Sequence, residues 1–333
     1  MVISIALVIC TYNNASLLSR TLKAISQQQS YDPSTVWQVL VVDNNCTDDT
    51  VAVATHYQSL IPQLNIIQEP IQGLTPARLC GVRNTTADWI AFVDDDCLLA
   101  PNWVAAAGKF AAAHPDCSAF GGQVILDWET PPPLFVHQFH YSFAEQAHGN
   151  VARPVECLVG AGMVINRQVL QSTGWIDRPL LADRIGKRLV SGGDVELALR
   201  LGAKRPLWYT PDCQLQHVIP AYRISPRYLM RINAGLGVSK VYGDAMLWSG
   251  TYSALLRHSL EEGVRQIKAI AIDAVKALAG RRSKIAVAIN AHFWWGWWKG
   301  LWQLWRMESY QRQAIIGSAL PSPKKKILHE VLP

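Results

Sequence analysis

Charged residues are scarce in this chain of 333 residues: Asp, Glu, Lys and Arg make up 17%, whereas hydrophobic residues make up 50%. This balance excludes a largely disordered chain and predicts ample material for a core. Acids are scarcest near the end, where Glu308 is the only one between Lys276 and Lys326 against ten basic residues. A basic end of this kind indicates an anionic membrane surface, nucleic acid or a solvated face.

Several common motifs are also missing. No Gly-x-Gly-x-x-Gly follows the first apolar run and no Gly-Lys-Ser/Thr loop occurs, which argues against dinucleotide-dependent and P-loop chemistry. The seven cysteines are odd in number and form no Cys-x-x-Cys pair, so buried reduced thiols in a cytoplasmic protein are favoured over disulfides or zinc. The N-terminus lacks a basic region and a cleavage site, and it predicts a buried strand rather than a signal peptide.

What the first hundred residues do contain is three apolar runs, each followed by polar residues. They are ISIALVIC at 3–10, WQVLVV at 37–42 and WIAFV at 89–93. Apolar residues at helical spacing lie between the first two, and Thr47 or Asp48 can cap a second helix. Strands that alternate with helices predict a mostly parallel sheet flanked by helices, which is an α/β fold.

The third run leads directly into three carboxylates, Asp94, Asp95 and Asp96. Open α/β sheets bind ligands at the carboxyl ends of their strands, so the position indicates a site. Alternation would point Asp94 and Asp96 one way, as a pair suited to Mg²⁺ or Mn²⁺. A solvated acidic turn is the other interpretation. Asp43 ends the second run at the same edge, where it either caps a turn or binds a ligand.

The remainder of the chain divides by pattern. A proline-rich loop at 131–135 precedes a strand with a helix that starts near Asn166, and a further helix ends at Gly202. From about residue 223 the pattern is helical. We therefore expect a catalytic domain at 1–222, with halves at about 1–115 and 116–222, and a helical basic region at 223–333.

The segment 285–305 holds six of the thirteen tryptophans and is of transmembrane length. Polar residues interrupt it, and tryptophan prefers the headgroup layer, so an interfacial helix on an anionic membrane is favoured over a span. The alternative is a hydrophobic helix packed on the protein. The expected location is the cytoplasm, at the inner face of the cell membrane.

The motifs VICTYN, VLVVDNNCTDDT and GLTPARLCGVRNTTADWIAFVDDDC, in this order, resemble the nucleotide-sugar half of family 2 glycosyltransferases, which have the GT-A fold. The resemblance, which covers about residues 3–240, implies a nucleotide-sugar donor and Mn²⁺ or Mg²⁺. It assigns the metal to Asp96, with His217 as a further ligand or diphosphate contact. The residues that it implies for donor binding are Thr11, Tyr12, Asn13, Asp43, Arg78, Asp94 and Asp95.

The segments GAGMVINRQVLQSTGWID and GGDVELALRL resemble that family's acceptor side. By this resemblance Asp194 is the general base, which accepts the proton of the attacking sugar hydroxyl. Gly193 stands where the family usually has Glu, so Glu196 is kept as an alternative base or a solvated bystander. The expected acceptor contacts are Gly162, Met163, Trp175 and Glu196.

The resemblance implies an inverting glycosyltransferase that uses a nucleotide-diphosphate sugar, with UDP-sugar expected first, and a glycan or lipid-linked glycan acceptor. The chain lacks a Gln-x-x-Arg-Trp element, which favours single transfers over polymerisation. The competing hypotheses are a nucleotidyltransferase-like protein and a protein that binds nucleotide sugars without transfer. Nucleic-acid binding is not expected, since the basic tryptophan-rich end forms no recognisable module.

Overall fold

The computed structural model describes residues 2–29, 34–181, 183–185 and 192–320, so the predicted basic run Lys324–Lys326 lies outside the described residues. The strands are β1 (Ile3–Thr11), β2 (Thr35–Asp43), β3 (Leu64–Gln68), β4 (Trp89–Phe92), β5 (Cys97–Leu99), β6 (Ala119–Gly121), β7 (Val124–Trp128), β8 (Arg153–Val155), β9 (Met163–Asn166), β10 (Leu207–Tyr209) and β11 (Leu215–Ile219). The helices are α1 (Ala15–Ser26), α2 (Thr50–Gln58), α3 (Leu74–Arg83), α4 (Trp103–Ala113), α5 (Arg167–Ser172), α6 (Gly193–Gly202), α7 (Pro226–Met246), α8 (Tyr252–Leu278), α9 (Lys284–Arg306) and α10 (Ser309–Ile315), with 3₁₀ helices at Leu134–Phe143 and Ala221–Ile224.

An eight-stranded sheet in the order β3-β2-β1-β4-β9-β6-β10-β8 forms the centre. The strands β3, β2, β1 and β4 run parallel, and β9 is antiparallel to both of its neighbours. Alternate residues of β1 enter opposite faces: Leu7 and Ile9 pack on one buried cluster and Val8 on the other. The predicted mostly parallel α/β sheet with a helical C-terminal part is confirmed.

The strand register brings the predicted site residues to one edge of this sheet. Thr11 pairs with Asp43 at the ends of β1 and β2, and Val8 pairs with Phe92 of β4, so the three aspartates follow at the same edge. A second sheet, in the order β5-β11-β7, places His217 opposite Cys97. The residue next to Cys97 is Asp96, so β11 delivers the histidine to the aspartates.

The C-terminal helices pack partly through glycines. A β-carbon on Gly237 of α7 or Gly296 of α9 would overlap the backbone of the other helix, so these two helices touch main chain to main chain. Trp297 and Leu301 of α9 are buried as well. One face of the tryptophan-rich segment therefore packs on the protein, as the alternative interpretation has it.

The opposite face of α9 carries exposed Trp295, Trp302 and Trp305. Lys299 lies over the ring of Trp295, and Arg306 lies over that of Trp302. Among the helices that the structure describes, none is long and apolar enough to cross a membrane.

All seven cysteines lie within the described residues and are free thiols. Cys97, Cys117 and Cys213 are buried as predicted, whereas Cys157 is exposed, which corrects the expectation for that residue. Burial raises the pKa of Cys117 to about 12, so this thiol stays protonated.

Candidate active site

A cavity of about 450 Å³ opens at the carboxyl edge of the sheet. Its volume is in the range of small-molecule sites. Six of the residues that the sequence assigned to donor or metal line it, namely Thr11, Tyr12, Asn13, Asp94, Asp95 and Asp96. A second cavity of about 70 Å³ shares Asp94 with the first and is also lined by Arg78, Asp194 and His217.

Asp95 is held by the first strand and the helix after it. Its two carboxylate oxygens accept hydrogen bonds from Thr11 Oγ1 and Asn14 Nδ2, both at 2.7 Å. Burial raises the pKa of Asp95 to about 7, and the nearby charge of Asp96 adds to that rise. These contacts fix the turn between β4 and β5, so Asp95 orients its two neighbours.

Asp96 is buried between Arg223 and His217. Its Oδ2 lies 2.9 Å from Arg223 Nη1, and its Oδ1 lies 3.4 Å from His217 Nε2. Burial alone would raise the pKa of Asp96, but His217 and Arg223 outweigh it and hold the pKa well below its usual range. His217 Nδ1 donates to the carbonyl of Phe143 at 2.7 Å, which aims Nε2 at the carboxylate.

The donor set fits a hard divalent cation. Ligand atoms of Asp94, Asp96 and Cys97 lie within 4.8 Å of one another, and His217 Nε2 is beside Asp96. Carboxylate oxygens suit Mg²⁺ or Mn²⁺, and a backbone hydrogen bond on the far nitrogen orients a metal-binding imidazole. Cys97 is the poor ligand of the set, because burial holds the pKa of its thiol well above the usual value.

Arg78 is buried, lines the small cavity and lies beside Asp94, which lines both cavities. Its Nη2 lies 4.0 Å from Asp94 Oδ1, and its Nη1 pairs with both Asp194 and Asp183. The guanidinium also lies 5.0 Å from the ring of Phe92. Burial would lower the pKa of Arg78, but the three carboxylates raise it, so the cation is permanent.

Asp194 lies in the first turn of α6, where the helix dipole favours a carboxylate. Its side chain is 38% exposed, so it is open to a ligand, although it is paired with Arg78. A β-carbon on Gly160 would overlap the Asp194 carboxylate. Gly160 is therefore needed to make room for the acid at this position.

Glu196 has a different role from the one expected. It is fully buried, and its oxygens accept from the backbone amides of Leu180 and Leu181 and pair with Arg200 at 2.7 Å. It lines neither cavity. The expectation of an acceptor contact or a solvated side chain at Glu196 is corrected: this acid anchors the chain that leads to Asp183.

The other expected acceptor contacts also lie away from the cavities. Met163 and Trp175 are buried in the core on the α3 side of the sheet, so no acceptor reaches them in this arrangement. Gly162 has a φ of +73° and donates to the carbonyl of Phe92, which continues the strand pairing. The small cavity is instead lined by Gly160 and Ala161, the two residues directly before Gly162.

Two of the residues that the sequence assigned to the donor, Asn13 and Asp43, hold the loops at the sheet edge. Asn13 has a φ of +50°, and its Oδ1 accepts from the amide of Thr47 at 2.7 Å. Asp43 accepts from the amide of Cys46 at 2.8 Å, which is the turn-capping alternative, and it is not among the cavity-lining residues. Tyr12 is 42% exposed at the cavity.

Sequence reasoning missed several residues that line the large cavity, namely Asn44, Arg184, Tyr222, Tyr228 and Arg231. It also missed Asp183. Asn44 follows Asp43 directly, and its side chain bonds to the backbone of residues 69–73. The polar end of β2 was a signal for Asn44, whereas the others follow irregular segments that carry no motif.

The arrangement provides two connected chemical functions. Carboxylates beside a histidine can hold a cation, and Arg184, Arg223 and Arg231 surround the same cavity with positive charge suited to phosphate groups. A partly exposed carboxylate stands across Arg78 from them. Such a site can hold an anionic leaving group and accept a proton from a nucleophile opposite to it.

Comparison with known proteins identifies the fold and the family. A mannosyltransferase from Pyrobaculum calidifontis, determined in complex with GDP-Man and Mn²⁺, superposes with a TM-score of 0.59 over 90% of this chain and 87% of its own, at 18% identity. At that identity the likeness concerns the fold, which is the GT-A fold of glycosyltransferases. The family model of glycosyl transferase family 2 matches residues 6–174. The chain belongs to this family and is a glycosyltransferase.

Curated relatives agree with the family. A glucosyl-dolichyl phosphate glucuronosyltransferase of Haloferax volcanii is 23% identical over 249 residues, which is 73% of this chain and 78% of that protein. The glycosyltransferase AglE of the same organism is 32% identical over 101 residues, 30% of this chain and 33% of its own. A validoxylamine A glucosyltransferase of Streptomyces hygroscopicus is 33% identical over 101 residues, 30% of this chain and 24% of its own.

Proposed function

We propose that this protein is an inverting glycosyltransferase that moves a sugar from a nucleoside-diphosphate donor to a hydroxyl of a lipid-linked glycan. The observation that carries the proposal is the position of Arg78, which lines the small cavity with Asp194 and lies 4.0 Å from Asp94, an acid that lines both cavities. The donor occupies the large cavity and the acceptor hydroxyl enters beside Asp194, so the reacting atoms meet at the shared wall.

On the donor side, Asp96 and His217 with Asp94 would hold the divalent cation, Mn²⁺ or Mg²⁺. A cation held there would supply positive charge to offset the charge that develops on the leaving diphosphate. In the structure Arg223 pairs with Asp96 at 2.9 Å, so a bound cation would compete with Arg223 for this carboxylate. The arginines of the cavity then lie where the diphosphate oxygens need partners.

On the acceptor side, Asp194 accepts the proton of the attacking hydroxyl as the new bond to the sugar forms. A single displacement of this kind inverts the anomeric carbon, because the nucleophile enters opposite to the leaving diphosphate. Arg78 pairs with this carboxylate and orients it. Its pairing with Asp94 couples the geometry of the base to that of the donor.

The proposed catalytic domain, 1–222, and helical region, 223–333, share this site. Tyr222 and Arg223 stand at the boundary, and Tyr228 and Arg231 of α7 also line the large cavity. The start of the helical region therefore completes the donor cavity. The later helices, α8 and α9, do not line this cavity.

A donor screen tests the function. Purified protein is offered UDP-, GDP- and dTDP-sugars with Mn²⁺ or Mg²⁺, and release of the nucleoside diphosphate is followed with and without a chelator. We expect cation-dependent release that is fastest with a UDP-sugar. Cation-dependent binding of nucleotide sugars without any turnover on lipid-linked acceptors would instead identify a binding protein.

We propose that the acceptor is held in a membrane and that α8 and α9 bring the enzyme to it. The relative named above acts, by its name, on a dolichyl-phosphate-linked sugar. Exposed apolar residues form a stripe at helical spacing along α8, namely Leu260, Val264, Ile267, Val275 and Leu278. Exposed basic residues border the stripe, Arg257, Lys268 and Lys276 among them. An apolar face bordered by cations suits an anionic bilayer surface at the cytoplasmic side.

Replacing Leu260, Ile267 and Leu278 together by serine is expected to weaken binding to vesicles of phosphatidylcholine and phosphatidylglycerol about 100-fold. The estimate assumes that each side chain loses about 1 kcal/mol of partial burial. Cosedimentation measures the affinity, which should also fall as salt rises, because salt screens the basic residues. Deleting α9 would be a poorer test, since it uncovers the glycine face of α7.

The matched control replaces Leu134 and Val151, exposed apolar residues outside the helical region, by serine. It should bind vesicles like the unmodified protein. A different outcome would be that no variant binds vesicles, while the unmodified protein self-associates and the triple variant does not. The stripe would then be an interface between copies of the protein. If the protein is released from the vesicles only by detergent and not by high salt, a segment of it spans the bilayer.

A further inference from the structure

Gly193, the residue directly before the proposed base, is buried and has no room for a side chain. A β-carbon there would lie 2.9 Å from Asp183 Cγ and closer still to Asp183 Oδ2. Real β-carbons do not approach other atoms so closely. The carboxylate of Asp183 therefore occupies the space into which a side chain at position 193 would point.

Asp183 reaches this space from the chain that precedes α6. Its Oδ1 accepts from the amide of Arg184 at 2.9 Å, and its Oδ2 lies 3.3 Å from Arg78 Nη1. The same nitrogen pairs with Asp194. The two carboxylates thus share one donor atom of a buried guanidinium.

Exposure separates the three acids around Arg78. The side chains of Asp94 and Asp194 are each 38% exposed, whereas that of Asp183 is 4% exposed. A buried cation requires a buried counter-charge, because an unpaired one is strongly destabilising. Asp183 meets that requirement, which leaves the other two acids accessible to ligands.

We infer that Asp183 is a positioning residue for the transfer reaction: it supplies through space the carboxylate that position 193 cannot carry, and it holds Arg78 so that Asp194 stays directed at the small cavity. The inference rests on the proposed function of Asp194. It also explains the glycine at 193, where the family resemblance leads one to expect glutamate.

Asp183 affects both the charge around Arg78 and the geometry of Asp194. With Asp183 in place, Arg78 Nη1 is divided between two carboxylates. Without it, Nη1 would pair with Asp194 alone and draw that carboxylate away from the acceptor hydroxyl. A displacement of about 1 Å at a reacting group can cost about 10²-fold in rate.

A charge swap tests the inference with Asp183→Gly, Gly193→Glu and the double variant. We expect each single variant to lower kcat about 100-fold with the KM for the donor within about threefold of wild type. The double variant should regain at least tenfold over the better single one, because Glu at 193 enters the vacated space and meets Arg78. Asp183→Asn keeps the shape without the charge and should behave like Asp183→Gly.

Thermal unfolding of the same proteins separates this inference from the proposed function. If the wild-type protein transfers no sugar, the proposed function fails, while the swap is still assessed by whether the double variant recovers the melting temperature lost in the single ones. Wild-type kcat in Asp183→Asn, or a double variant no better than the worse single one in both measurements, would overturn the positioning role.

Discussion

Replacing Asp194 by asparagine is expected to lower the rate of sugar transfer by about 10²–10⁴-fold, the usual cost of losing a general base. The affinity for the donor should stay near that of the wild type, because the amide keeps the shape of the side chain beside Arg78 and the donor cavity is unchanged. Single-turnover transfer and calorimetric titration with nucleoside diphosphate measure the two quantities.

Two control variants sharpen this expectation. Asp177→Asn, at an exposed aspartate outside both cavities, should transfer sugar like the wild type. Glu196→Gln should mainly lower the melting temperature, because Glu196 is buried and holds two backbone amides and Arg200. Strong loss of transfer in a well-folded Glu196→Gln protein, with a mild effect of Asp194→Asn, would refute the assignment of the base.

Replacing Asp96 by asparagine is expected to abolish cation-dependent donor binding. The variant loses the charged oxygens that suit a hard cation and leaves His217 and Arg223 without their carboxylate partner. Removing one partner of a buried pair costs about 3–5 kcal/mol, so the melting temperature should fall as well. Two measurements test this prediction: Mn²⁺ binding by electron paramagnetic resonance, and nucleoside-diphosphate binding by calorimetry.

The measurements are made below the lowered melting temperature, with Asp116→Asn, at an exposed aspartate, as the control. A folded Asp96→Asn protein that binds nucleoside diphosphate with unchanged cation dependence would show that the cation site is elsewhere. The stability cost distinguishes Asp96 from an ordinary solvated acid at a strand end, which would be replaced almost without effect.

Much of the sheet and one half of the site were predictable from the sequence. Continuous apolar runs become strands buried on both faces, and the residues after them meet at one edge because the strands are parallel. Two predicted helix ends are confirmed as well. The side chain of Asn166 caps the start of α5 by accepting from the amide of Val169, and α6 ends at Gly202.

The acceptor half was harder to predict because its geometry depends on contacts distant in sequence. Trp175, Met163 and Glu196 lie in motif-like segments, but packing turns all three into the interior. Asp183 belongs to no periodic element, and only the fold brings it to Arg78, 105 residues away. Asn14 illustrates the same effect: it stands at the N-cap of α1, yet its side chain bonds to Asp95.

The glycine contact between α7 and α9 has a consequence for genetics. Any substitution at Gly237 or Gly296 must separate the two helices, since even one added carbon overlaps main-chain atoms. The same α7 carries Tyr228 and Arg231 at the donor cavity. Loss-of-function alleles recovered at these glycines would therefore map to the C-terminal region and still be defects in donor handling. A mutational screen should score them with the active-site alleles rather than with alleles of the apolar stripe on α8.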